Sequence, residues 1–245
     1  MTFLPAVRII QAAALMMLTS SLSMAQEASP PRETRQISGW TVHVRRDLIA
    51  SSPREVERAM ELLKAMLDEI VQVVPKPALV ELQKVPLWFS SEYPATPPRA
   101  EYHPGAEWLR EHQRDPVMAQ GVEFTNTRIF EAEVRRMPNF ALHELAHAFH
   151  HRVLVNGYDN ADIKAAFELA KSSGKYDRVE RRDSEGRRRI AKAYAITNPQ
   201  EYFAECTEAY FGKNDFFPFT HEELKKHDPA MCELLGRLWG TPGKP

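Results

Sequence analysis

Apolar positions along the chain keep two different periods. Val56, Ala59, Met60, Leu63, Leu67, Ile70 and Val74 recur every three or four residues, which is the spacing of one helical face. Ser52-Pro53-Arg54-Glu55 ahead of them reads as a capping box with proline at the first helical position, and Pro75 and Pro77 close the helix. Residues 39–49 alternate in part and read as strand, as do residues 85–90 and 121–130. Pro138 opens a second helix that runs to about 155 and stops at Asn156-Gly157. A third spans about 160–173 and is closed by Gly174. Residues 176–194 predict a hairpin around Asp183-Ser184-Glu185-Gly186. Asn198-Pro199 starts a helix that ends near Gly212, and Asp228-Pro229 starts the last, ending at Trp239-Gly240. Residues 26–36 read as a loose lead-in and 91–120 as an irregular connection. Strands come early and helices late, so the pattern predicts an α+β fold and not a doubly wound sheet.

The first 25 residues stand apart. Arg8 is their only charge, residues 9–18 are an apolar run, and Ser23-Met24-Ala25 follows as a small-residue cleavage site. That order predicts a signal peptide over 1–25 and a secreted or periplasmic protein. Residues 26–120 then form the N-terminal part of the same domain that 121–245 completes. The apolar run is too short to span a bilayer permanently, and no later segment looks membrane-spanning, so no membrane association is expected after cleavage. With 32 basic and 33 acidic residues, no excess of positive charge points to nucleic acid. Oligomeric state is not legible. Export allows disulfides, and Cys206 and Cys232 are the only cysteines, so one bridge is expected; the alternative is two small buried apolar side chains.

Residues 143–151 read HELAHAFHH. On a helix, residues four apart project from one face, so His143 and His147 can share one metal ion. Glu144 lies about 100° round from His143, beside the ion and not on it. A carboxylate there can take a proton from a zinc-bound water and pass it to a leaving amine. His150 and His151 read as helix-end residues that favour the C-terminal dipole. The third ligand must come from elsewhere, and two histidines with one glutamate is a common catalytic zinc set. The helix NPQEYFAECTEAYF offers Glu201 and Glu205 on one face, with Glu208 next. Glu201 could instead close a capping box with Asn198, and spacing alone does not choose between Glu201 and Glu205.

HELAH, followed 54 residues after His147 by EYFAE with Tyr194 seven residues before its first glutamate, resembles the lethal-factor-like (ATLF-like) zinc metallopeptidases of the gluzincin type, in their secreted branch. The stretches HELAHAFHHRVL and EYFAECTEAYFGKNDFFPF carry the same resemblance, which covers roughly residues 120–240. It implies a zincin-like domain in which two metal-bearing helices pack on a small mixed sheet. It also implies that Glu201 completes a single Zn2+ site with His143 and His147, that Glu205 supports a ligand from behind, and that Tyr194 points its hydroxyl at the site. A hydroxyl there can donate to the oxyanion of a tetrahedral intermediate.

The sequence therefore predicts a secreted zinc-dependent endopeptidase acting on peptides or proteins, with Glu144 and Tyr194 catalytic. Two rivals stand beside it: a zinc hydrolase of a non-peptide amide such as a cell-wall component, and a non-catalytic zinc-stabilised binding module. Residues 121–130 are expected to form the edge strand against which an extended substrate pairs. The basic hairpin over 176–194 is either a solvated ribbon or a contact for an acidic partner.

Overall fold

The computed structural model describes residues 29–240; the expected signal peptide lies outside the described residues. Two sheets and ten α-helices occur among them. β1 (Arg32–Ile37) and β2 (Trp40–Arg45) are joined by Ser38 and Gly39, both at positive φ. A two-residue turn of that kind matches the twist of an antiparallel pair, which is why the polar lead-in is a strand and not a loose segment. Only β2 alternates in burial, with Trp40, Val42 and Val44 inward. The strand read over 39–49 ends at Arg45, and α1 (Arg46–Ser51) follows.

The long periodic segment is α2 (Pro53–Val73), whose buried positions are six of the seven apolar ones read from the sequence, with Met66 added; the seventh, Val74, is its buried C-cap. Ser52 makes no side-chain cap bond, so the expected capping box is not formed. Pro75 and Pro77 do not merely end this helix. They begin α3 (Lys76–Leu82), with a proline where a missing N–H costs nothing. β3 (Leu87–Phe89), β4 (Ala100–Tyr102), α4 (Ala106–Glu111), β5 (Val122–Phe124) and α5 (Phe130–Arg136) complete the first half. The main sheet runs β1-β2-β3-β5-β4, antiparallel at both ends and parallel between β2, β3 and β5. This corrects two expectations. Residues 121–130 supply an inner strand and then a helical turn, and the edge is β4, inside the stretch read as irregular. A three-residue strand carries no period to detect.

α6 (Phe140–Arg152) is capped by Asn139, whose side chain accepts from the Leu142 N–H at 3.1 Å and donates to the Met66 carbonyl at 3.2 Å. The cap thus ties α6 to α2. Every residue from Phe140 to His150 is buried, so this helix is enclosed all round, packing against α2, α3, β4 and α8 (Pro199–Phe211). Between α6 and α8 lie α7 (Ala161–Ser173) and a separate hairpin of β6 (Val179–Arg182) and β7 (Arg188–Ala191). α9 (His221–His227), missed in the sequence, and α10 (Pro229–Trp239) close the chain. One hydrophobic cluster holds residues from both halves, from Trp40, Leu87 and Phe124 to Leu145, Phe203 and Trp239.

Cys206 and Cys232 are both buried and both free thiols, so the expected bridge is not formed. Cys206 lies 3.9 Å from the Tyr176 hydroxyl, and Cys232 lies 3.9 Å from His221 Nε2. Among the described residues no helix is long and apolar enough to cross a membrane.

Candidate metal centre and cleft

A helix buried on every side must find partners for its polar groups. His143 Nε2 and His147 Nε2 are 3.2 Å apart. Glu201 Oε2, at the start of α8, stands 3.1 Å from the first and 3.4 Å from the second. Two of the three positions come from the four-residue spacing on α6. The third is set by Asn198, whose side chain accepts from the Glu201 N–H at 2.8 Å. The cap therefore forms through Asn198 alone and leaves the Glu201 carboxylate free to face the histidines. Four ligands placed tetrahedrally at 2.0–2.1 Å stand about 3.3–3.4 Å from one another. The three atoms match that triangle, so the site fits a small tetrahedral cation.

The electrostatics agree. Burial alone would raise Glu201, but its contacts with His143 and His147 hold it far below the usual carboxylate range. Burial alone would lower His143, yet the Glu201 and Glu208 carboxylates outweigh it and hold the ring well above its ordinary value. The cluster is a place where positive charge is strongly favoured.

Glu201, Glu205 and Glu208 follow one another at i, i+4 and i+7 on α8. Glu208 Oε1 accepts from His143 Nδ1 at 2.7 Å, which leaves Nε2 as the nitrogen that would turn its lone pair to an ion between Glu201 and His147. Glu205, expected behind a ligand, instead accepts from the Asn214 amide at 3.0 Å and bonds neither imidazole. Its carboxyl is pushed well up, by burial first and then by Glu208. His143, Glu205 and Glu208 form a second group of donors within 4.8 Å, but it shares His143 with the first.

Glu144 is buried on the next face of α6. Its Oε2 accepts from the backbone N–H of Tyr102 at 2.9 Å, so the edge strand β4 orients it. The Tyr102 hydroxyl is 2.9 Å from His151 Nδ1, pinning that strand to the end of α6. Tyr194 is half-exposed and its hydroxyl donates to Glu201 Oε1 at 3.4 Å. Burial, then Glu201, raises its pKa and keeps the hydroxyl a proton donor at neutral pH. Glu144, Tyr194 and the three candidate ligands all line one cavity of about 490 Å³, bordered by β4 on one side and by Arg136, Arg181 and Asp215 on another. The sequence did not show the Tyr102 N–H, because a backbone donor leaves no trace in residue type. Glu208 was visible as the third of three glutamates on one face.

His150 lies in the last turn of α6 as expected, but it is not a charged partner of the helix dipole there. It is fully buried against Tyr158 and Phe203, and neither ring nitrogen has a hydrogen-bond partner among the described residues. Burial lowers its pKa to about 3, with His147 and His151 adding to the effect. Between that value and the unfolded value near 6.5, only the unfolded chain takes up the proton, so stability falls as pH drops through this window. The cost is on the order of a few kcal/mol. His150→Leu removes both the orphaned nitrogens and this linkage. It should melt at or above the wild-type temperature at pH 7 and lose less between pH 7 and 4.5. Parallel losses in melting scans of the two proteins would contradict the assignment.

The class is that of a metallopeptidase, which a family match supports. Residues 120–239 match the family model for the glucose-regulated metallo-peptidase M90. No curated protein matches the chain. Among solved structures, the Pro-Pro endopeptidase PPEP-2 from Paenibacillus alvei is similar at 20% identity, over 73% of this chain and 89% of that one, with a TM-score of 0.43.

Proposed function

We propose that the chain is an exported, zinc-dependent endopeptidase. The convergence of His143 Nε2, His147 Nε2 and Glu201 Oε2 within 3.1–3.4 Å carries this reading. Two imidazoles and a carboxylate suit zinc, and three protein ligands leave the open position that a catalytic site keeps. When bound, the ion supplies Lewis acidity and makes water a nucleophile at neutral pH.

The chain's own groups do the rest. Glu144, held by the Tyr102 N–H, takes the proton from the attacking water and returns it to the leaving amine. Tyr194 donates to the carbonyl oxygen as negative charge develops. Glu208 fixes the His143 tautomer, the role expected of Glu205. An extended peptide runs along β4, the sheet edge that borders the cleft. The spacing of Tyr194, Glu201 and Glu205 supports the lethal-factor-like branch.

The expected result is cleavage of a mixed peptide library by zinc-loaded protein, abolished by a chelator and restored by zinc. Full zinc occupancy with no product across the library would favour the inert binding module. Export rests on Arg8, the apolar run and Ser23-Met24-Ala25. N-terminal sequencing of the exported protein should begin at Gln26, and an intact Met1 there would remove that part of the reading.

A further inference from the structure

Two arginines, Arg136 and Arg181, stand with Asp215 on one wall of the cleft, and the proposed hydrolysis makes no use of them. Arg181 lines the cavity. Its Nε donates to Asp215 Oδ2 at 3.1 Å, an atom it shares with Arg136 Nη1 at 3.3 Å, and its guanidinium lies 4.5 Å over the Phe216 ring. In the β6–β7 ladder the residue opposite Arg181 is Arg189. Opposite residues of an antiparallel pair project from the same face, and like charges so placed are destabilising. The next pair, Arg182 and Arg188, is also two arginines, but Glu180 lies within 3.3 Å and 3.5 Å of them. Asp183 and Glu185 are taken by Arg187. All three carboxylates of the hairpin are therefore engaged. Arg189 is exposed, and among the described residues no carboxylate pairs with it.

This ribbon is held in place. The Arg182 N–H donates to the Asp215 carbonyl at 2.9 Å, and the Phe217 N–H donates to the Glu180 carbonyl at 2.8 Å. Three residues after β7 comes Tyr194, so the arginine pair sits on the ribbon that leads directly into the reaction centre. Residues 178–192 hold seven basic and three acidic side chains, although the whole chain has 32 and 33; the remainder is acidic by five. Positive charge is thus concentrated on the hairpin, from which Arg181 reaches the cleft.

Resting on the peptidase reading, we propose that Arg181 and Arg189 form a carboxylate subsite, which receives an aspartate or glutamate side chain of the peptide flanking the bond that is cut. The planar guanidinium fork matches a carboxylate in two-pronged fashion. A carboxylate between the two arginines also removes the repulsion across the ladder. The acidic remainder of the chain disfavours a long polyanion such as nucleic acid.

The test uses zinc-loaded Glu144→Gln protein and fluorescein-labelled decapeptides of alanine, leucine and serine that carry two glutamates, two glutamines or two lysines. Anisotropy should show the glutamate peptides bound about tenfold or more tightly than the glutamine ones, the scale of a charge-assisted hydrogen bond. Lysine peptides should bind weakest, and the preference should shrink as salt rises. Arg189→Ala, an exposed change that should leave zinc content and melting temperature unaltered, should remove most of the preference, and Arg189→Glu should reverse it. Equal or undetectable binding of glutamate and glutamine peptides overturns the subsite. So does a preference that survives both Arg181→Ala and Arg189→Ala, or tighter binding of the oligonucleotide dT10. A wild-type protein that cuts neutral and acidic peptides at equal rates sinks the subsite and leaves the peptidase standing. Arginine-dependent binding of glutamate peptides by a protein that cuts nothing does the reverse.

Discussion

Glu144→Gln should keep its full metal content and melting temperature while kcat falls by about 10²–10⁴, the usual loss of a general base. Glutamine has the same length, and its carbonyl oxygen can still accept from the Tyr102 N–H that holds Glu144 Oε2 at 2.9 Å. The side chain makes no hydrogen bond to the two histidines' converging nitrogens or to Glu201, so the three candidate ligands keep their places. Only basicity is lost. Tyr194→Phe belongs to the same experiment. It removes a hydroxyl from a half-exposed ring at the cleft, so folding and metal should survive while turnover drops by about 10²–10³, as for a lost oxyanion donor. Metal analysis, thermal melts and peptide cleavage of the purified variants check both. If Glu144→Gln cuts as fast as wild type, the proton passes through another group and Glu144 is not the base.

Glu201→Ala should strip the metal, because it removes one of three converging donors and leaves two imidazoles 3.2 Å apart. Glu208→Ala should cost about 10–100-fold in metal affinity, as outer-shell partners do, since His143 Nδ1 loses its 2.7 Å acceptor. Glu205→Gln should leave affinity unchanged. Its carboxyl is held toward the protonated form by burial, and an amide can keep the Asn214 bond through its oxygen. Competition of each variant with a zinc-sensing dye orders the three glutamates. A Glu205→Gln protein without metal beside a Glu201→Ala protein that retains it would reverse the assignment.

The elements with the strongest periods were the most legible. α2 buries six of the seven apolar positions read at helical spacing, and α6 and α8 carry their chemistry at i, i+4, so His143 with His147 and the row of glutamates could be read as faces. What stayed hidden depends on partners distant in sequence. β1 is polar and becomes a strand only because Ser38 and Gly39 fold it back on β2. β4 has three residues and no period, yet it forms the sheet edge and supplies the N–H that orients Glu144. The resemblance placed Glu205, not Glu208, behind the site. The rotation of α8 against α6 puts Glu208 on His143 and turns Glu205 to Asn214. His150 shows the same limit: a histidine near a helix end reads as a partner for the dipole, and the packing of Tyr158 and Phe203 buries it.

The most direct measurement is a crystal structure of zinc-loaded protein with anomalous data collected at the zinc edge. One peak is expected, about 2.0–2.2 Å from His143 Nε2, His147 Nε2 and Glu201 Oε2. A peak held by Glu205 and Glu208 instead, or no peak in protein that still cuts peptides, would contradict a catalytic zinc on those three ligands.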